Sequence, residues 1–250
     1  MTEELLDDAG DDLATSTSDA SLRRTEARSA AIEREIATDP ATFRIMTGDR
    51  PTGALHIGHY FGSLANRVRL QNAGVDTIIL IADYQVITDR DGTGPIRERA
   101  INMVADYLAI GIEPARSTIY AHSAVSALNQ LLLPFLSLVT DAELRRNPTV
   151  KAELEATGDR PMSGLLLTYP VHQAADILFC KANLVPVGKD QLPHLEQTRV
   201  VARRFDERYG RANPAQPIFP QAEALLSKAP TVLGLDGTKM SKSKGNVIDL

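Results

Sequence analysis

Two stretches of this 250-residue chain carry side chains whose types and spacing suit phosphate chemistry. The first is Thr47-Gly48-Asp49-Arg50-Pro51-Thr52-Gly53-Ala54-Leu55-His56-Ile57-Gly58-His59. An apolar run, Phe43 to Met46, precedes it, and an amphipathic run, Tyr60 to Gln71, follows. The pattern reads as a strand, a Gly/Pro turn and a helix start, where backbone N–H groups and the positive end of a helix dipole favour an anion. His56 and His59, three apart, share one side of the first helical turn and can donate to phosphate oxygens. The second stretch is Lys239-Met240-Ser241-Lys242-Ser243-Lys244-Gly245-Asn246, positive charge on flexible stems that suits a polyphosphate. Taken singly, each has a plainer reading: a polar strand–helix connection, and a solvated basic loop.

A third constellation lies between them. The segment Ser163–Lys181 reads as a long apolar helix, yet Tyr169, Gln173 and Asp176 fall at i, i+4 and i+7 on one face. A buried aspartate is costly unless hydrogen-bonded. No charged residue stands between Ser163 and Asp176, so a pocket lining is favoured over a solvated face. Val185-Pro186-Val187-Gly188-Lys189-Asp190-Gln191 then reads as a strand end, a glycine turn and a helix start, the place where α/β folds put ligands. Asp190 there suits ribose hydroxyls and Gln191 a substrate amino group; simple helix capping by Asp190 is the alternative.

Strands are expected at Phe43–Met46, Thr77–Ala82, Ser117–Ala121 and Asn183–Val187. Helices are expected at Gly58–Asn72 with Gly74 as its stop, from Pro95 to near Gly111, at Leu128–Val139, Asp141–Thr157, Ser163–Lys181 and Asp190–Tyr209. This alternation predicts an α/β fold, a doubly wound parallel sheet, with a helical insertion near residues 125–182. Ala222–Leu233 is expected only to lead into the lysine loop. The apolar Leu128–Val139 segment is a core helix or a subunit interface.

Composition is that of an ordinary globular protein, 43% hydrophobic and 24% charged. The single cysteine, Cys180, excludes an internal disulfide framework, and no Cys/His group has zinc spacing, so no protein-held metal is expected. There is no apolar run of transmembrane length and no basic-then-apolar leader, which favours a cytoplasmic protein with no membrane partner. The net charge of −5 is uneven: residues 1–40 hold 11 acidic and 4 basic residues, leaving the body near neutral. Residues 1–40 read as an acidic, disordered extension, with at most a polar helix over 21–37 that has little to bury. The globular body starts near Ala41.

His-Ile-Gly-His early and Lys-Met-Ser-Lys-Ser late, in that order, resemble the two signatures of class I aminoacyl-tRNA synthetases. Leu167-Thr168-Tyr169-Pro170, Ala174-Ala175-Asp176-Ile177, Val185-Pro186-Val187-Gly188 with Asp190-Gln191, and His194-x-Glu196-x-Thr198-Arg199 look like the tryptophanyl-tRNA synthetase family. The resemblance spans Thr47 to Asn246. It implies a Rossmann-like catalytic domain over 41–250 and ATP-dependent activation of tryptophan, followed by transfer to tRNA(Trp). It also implies Mg²⁺ with the ATP, a homodimer, and a C-terminal anticodon-binding helical domain that this chain does not contain. Asp176 would accept the indole N–H, Tyr169 and Gln191 would hold the amino group, and Gln173 and Gln85 would complete the amino-acid pocket. ATP would meet Arg50, Pro51, Thr52, Gly58, His59, Gly188, Lys189, Asp190, Lys239, Met240, Ser241, Lys242 and Ser243. His56, His59, Lys239 and Lys242 would stabilise the reacting phosphates.

Three positions depart from the family's usual pattern. Lys189 stands where Glu is common, Gln173 where many members have Met, and Gln85 where many have His. The Tyr-x3-Gln-x2-Asp spacing is also similar to the pocket of tyrosyl-tRNA synthetases, which keeps a tyrosyl enzyme open. A nucleotidylyltransferase, sharing the His-x-Gly-His turn, and a non-catalytic synthetase-like binding or regulatory protein are the other readings.

Overall fold

The computed structural model describes the chain except residues 1–3, 89–93, 157–160, 211–215, 228–231, 239 and 241–244, and for residues 4–19 and 156 the backbone alone. Its centre is a five-stranded parallel sheet in the order β3-β2-β1-β4-β5. The strands are β1 (Arg44–Asp49), β2 (Asp76–Ile81), β3 (Ser117–Ala121), β4 (Leu184–Val187) and β5 (Glu223–Leu226). β2 reads Asp-Thr-Ile-Ile-Leu-Ile because both its faces are covered: Ile79 and Ile81 enter one apolar cluster, Ile78 and Leu80 the opposite one.

The order reverses between β1 and β4, the switch point of a doubly wound sheet. β1 pairs with β2 along its whole length, from Arg44↔Asp76 to Asp49↔Ile81. It meets β4 only at Ile45↔Leu184. Past that point the carboxyl ends of β1 and β4 diverge, and the gap is the site.

The helices are α1 (Glu4–Thr38), α2 (Ile57–His59), α3 (Ala65–Ala73), α4 (Ile96–Ala109), α5 (Ser126–Gln130), α6 (Leu132–Leu136), α7 (Asp141–Arg146), α8 (Pro148–Ala156), α9 (Gly164–Phe179) and α10 (Leu192–Tyr209). α2 and α3 form one helical run joined by a π turn at Tyr60–Leu64, and Gly74 ends it in the left-handed region at φ 97°. The expected 141–157 helix is two helices. Asn147, before Pro148, takes ψ 121°, because proline disfavours the α region in its predecessor. The 128–139 segment is likewise split at Leu131; Leu128 and Phe135 are fully buried, whereas Leu133 is 76% exposed. α9 is started by Ser163, whose Oγ accepts the Leu166 N–H at 3.0 Å.

Two expectations need correction. Residues 20–40 are not a disordered extension: Ser29, Ile32 and Ile36 are buried, and the isoleucines pack with Phe43, Ile45, Leu184 and Leu225. The acidic average of the first 40 residues masks this apolar stripe at helical spacing. Residues 223–226 form a fifth strand. Glu-Ala-Leu-Leu has helical propensity, but pairing with β4 from Leu184↔Glu223 to Val187↔Leu226 overrides it. α1 then covers this sheet edge: Ser29 Oγ accepts the Leu226 N–H at 3.0 Å, and Arg28 binds Glu223 at 2.6 Å.

Candidate active site

The phosphate turn is built by close packing. His56 stands at the start of the helical run: its backbone carbonyl accepts the His59 N–H at 2.8 Å, while the His56 N–H donates to His59 Nδ1 at 3.2 Å. The rings lie 3.7 Å apart. Glycine is required at 58, since a Cβ there would sit 2.8 Å from His56 Cε1. Met240, 6% exposed, lies against the same glycine. Beyond it the chain returns to the turn: Ile57 N–H donates to Ile248 O at 2.9 Å, Leu250 N–H to Leu55 O at 3.1 Å, and His56 bridges Asp249 in antiparallel fashion. Residues 248–250, just past the second stretch, are thus joined to the first by backbone hydrogen bonds.

At the gap between β1 and β4 lies a cavity of about 360 Å³, a size that suits a small-molecule ligand. Gly48, Asp49 and Arg50 line it from β1 and the turn after it, Pro186 to Gly188 from β4, and Tyr169, Gln173 and Asp176 from α9. Gly48 keeps the floor thin; a Cβ there would meet the Leu80 carbonyl oxygen at 2.5 Å. Gln85, Gln191, Glu153 and His194 complete the wall.

Asp176, 2% exposed, is held from both sides. Gln85 Nε2 donates to Oδ2 at 3.1 Å, and His122 Nε2 lies 2.8 Å from Oδ1. A carboxylate only accepts, so the proton on the second contact belongs to His122. His172 stacks on His122 at 4.6 Å and bonds Asn129 Oδ1 through Nε2 at 2.9 Å; burial holds its pKa below the usual imidazole value. His122, His172 and Asp176 are the group, among the described residues, whose donor atoms converge within 4.8 Å. Their stacked rings and existing bonds make a hydrogen-bond network, not three ligands aimed at one ion.

Behind the phosphate turn, Arg67 is 3% exposed and binds Asp49 Oδ2 at 2.5 Å, and the Tyr107 hydroxyl donates to the same oxygen at 2.6 Å. Burial alone would raise the Asp49 pKa, but the Arg67 charge and these two hydrogen bonds hold it below the ordinary carboxylate value. At the opposite wall the Tyr169 hydroxyl lies 3.2 Å from His194 Nε2. Burial pushes Tyr169 up, and the Glu153 carboxylate adds to the shift. Burial lowers His194 to about 4, keeping the ring neutral.

The cavity brings together Arg50, Gly188, Tyr169, Gln173, Asp176, Gln191 and Gln85. His56, His59, Pro51, Thr52, Gly58, Lys189, Asp190 and Met240 do not line it. His59 lies near enough to Asp49 to help lower its pKa. Lys189 faces Glu26 of α1 at 2.9 Å, and Asp190 accepts from Gln191 Nε2 at 2.9 Å. Lys239, Ser241, Lys242 and Ser243 lie outside the described residues. Sequence reasoning missed Asp49, Arg67, Tyr107, His122, Glu153 and His194 as parts of the site. Asp49 and His194 lay in quoted motifs without being given a role; the others meet through tertiary packing that no spacing rule reports.

A protein family described as tRNA synthetases class I (W and Y) matches residues 38–250. A tryptophan–tRNA ligase of Clostridium longisporum is 48% identical over 211 residues, covering 82% of this chain and 61% of its own length. The chain thus spans about three fifths of the length of that curated relative. Tryptophanyl-tRNA synthetase of Campylobacter jejuni, solved with ADP and tryptophan, superposes with a TM-score of 0.74 at 33% identity, covering 82% of this chain and 62% of the other. Tyrosyl-tRNA synthetase of Archaeoglobus fulgidus, solved with L-tyrosine, gives 0.66 at 26%, covering 86% and 63%.

Proposed function

Because this chain belongs to the class I tRNA synthetases of the W and Y family, we propose that it activates tryptophan with ATP and that the whole protein is a tryptophan–tRNA ligase. The observation that carries the choice of amino acid is Asp176: a buried carboxylate at the cavity wall, held by two donors, is an acceptor for a donor-only indole N–H. Tyr169 and Gln191 receive the α-amino group. The substrate carboxylate attacks the α-phosphorus of ATP in line, the bond to the bridging oxygen breaks, and pyrophosphate leaves with the electron pair. The products are tryptophanyl-adenylate and pyrophosphate.

No protein nucleophile is needed, so catalysis rests on positioning and charge stabilisation. Arg50, Thr52, Gly58, His59, Gly188 and Asp190 are proposed to hold ATP, with Pro51 shaping the turn and Lys189 beside the nucleotide. His56, His59, Lys239 and Lys242 meet the charge developing on the phosphates, with Met240, Ser241 and Ser243 also proposed to contact ATP. Asp49, at the end of β1, is committed to Arg67 and Tyr107. That fits Mg²⁺ carried in on ATP phosphates and water, where it would neutralise phosphate charge. Transfer to tRNA(Trp), a homodimer and a cytoplasmic location belong to the same proposal. No helix among the described residues is long and apolar enough to cross a membrane.

The test is pyrophosphate exchange into ATP with tryptophan and tyrosine in parallel. Exchange with tryptophan, reduced at least about tenfold in kcat/KM by Asp176→Asn, is expected. Exchange with tyrosine alone would refute the assignment.

A further inference from the structure

The environment of Asp176 is delivered by two loops that a single side chain fastens together. Asp83 closes β2, and its Oδ1 accepts the Tyr84 N–H at 3.1 Å and, across the sheet, the Ser123 N–H at 3.2 Å. Gln85 is two residues beyond Asp83, and His122 is next to Ser123. The clamp therefore fixes the origins of both groups that donate to Asp176. His122 is fully buried, sandwiched between the ring of Tyr84 at 5.9 Å and that of His172 at 4.6 Å. Its Nδ1 makes no hydrogen bond among the described residues and stands 4.0 Å from Asp83 Oδ1. An imidazole held in this way has one polar task within reach, the Nε2–H to Asp176 Oδ1.

We propose that His122 is a positioning residue for amino-acid selection: it locks the Asp176 carboxylate, from the side opposite Gln85, in the orientation that accepts a ring N–H from the substrate. The inference rests on the proposed tryptophan reading and adds to it a residue that does not line the cavity. With both oxygens fixed, the lone pairs left on Asp176 point in set directions. A ligand N–H then gains a charge-assisted bond without first reorganising its acceptor. With His122 unable to donate, Oδ2 alone is held, and the carboxylate is free to turn about its Cβ–Cγ bond. A ligand that donates to Asp176 loses affinity; one of the same shape without the donor loses little.

The experiment measures dissociation constants by calorimetry for L-tryptophan and L-3-(benzothiophen-3-yl)alanine, in which sulfur replaces the indole N–H. His122→Phe keeps the stacking but removes the donor; His122→Gln restores a donor on a different skeleton. Wild type should prefer tryptophan. His122→Phe should weaken tryptophan about tenfold while changing the sulfur analogue by less than about twofold, and His122→Gln should recover most of the loss. Should His122→Phe fail to fold, His122→Met against His122→Gln makes the same comparison between side chains of matched length. An equal loss for both ligands, which is what a structural defect would give, overturns the proposal, as does no loss for either. Wild type that binds ATP but not tryptophan would instead overturn the reading of function on which this one stands.

Discussion

Replacing Arg67 with methionine isolates the buried charge pair behind the phosphate turn. Arg67 is 3% exposed, and both it and Tyr107 donate to the same oxygen of Asp49. Methionine matches the arginine stem but leaves Asp49 ionised with one neutral donor. Removing one member of a buried pair costs about 3–5 kcal/mol. The Asp49 side chain is 20% exposed toward the cavity, so water takes up part of the stranded charge and the lower end, about 3 kcal/mol, is expected. That is a large share of a total stability of about 5–15 kcal/mol. The pH dependence separates this cause from lost packing. In the wild type the Asp49 pKa is depressed, so its contribution is present above the ordinary carboxylate value of 3.8 and is lost only as pH falls below it. In Arg67→Met burial again dominates, the Asp49 pKa rises, and the variant takes up its proton at higher pH. The deficit is therefore largest near pH 7 and shrinks toward about pH 4. Urea unfolding followed by circular dichroism across that range measures it, and adding Asp49→Asn should restore at least about 1.5 kcal/mol. A deficit below about 1 kcal/mol near pH 7, or one that does not change with pH, refutes the reasoning.

Three further outcomes are expected. Ile36→Ala, at a position 3% exposed, should lower stability by about 2 kcal/mol in urea melts, whereas a loose tail would show no change. His194 is neutral in the fold with its pKa lowered from 6.5 to about 4; its stabilisation is complete above 6.5 and is lost as pH falls through that window, roughly 3 kcal/mol in all. His194→Gln should flatten this part of a stability–pH profile. Lys242→Ala should reduce the exchange rate far more than tryptophan affinity, and equal losses would contradict a role in the reaction step.

What was legible in the sequence followed the local rules. Thr77–Ala82 announced a strand covered on both faces because β-branched residues ran without a polar break. Gly74 and Ser163 marked helix ends through backbone geometry that few residue types provide. The stripe of Tyr169, Gln173 and Asp176 was visible because helical spacing alone places its members together, and all three line the cavity. What was not legible depends on packing. Glu223–Leu226 is a strand only because β4 lies beside it, and Ile32 and Ile36 were hidden in an acidic average. His122 reaches Asp176 from 54 residues away, through the ends of two loops. The three residues that depart from the family's usual pattern also differ in setting: Gln85 supports Asp176, Gln173 lines the cavity, and Lys189 turns outward to Glu26.

The return of the chain to the histidine turn has a consequence for the proposed role of its lysines. Met240 is seated against Gly58, and Ile248 and Leu250 are hydrogen-bonded to Ile57 and Leu55, so the intervening span is closed at both ends before any ligand arrives. The entropy of bringing those ends together is already lost on folding, and for so short a span it is small. On the proposed phosphate role of Lys242, so short a tether would set an effective concentration in the millimolar range. On that proposal, affinity for the phosphates depends on the length of the span between Met240 and Ile248 as well as on its charges. Glycines inserted there would dilute the lysines without removing one.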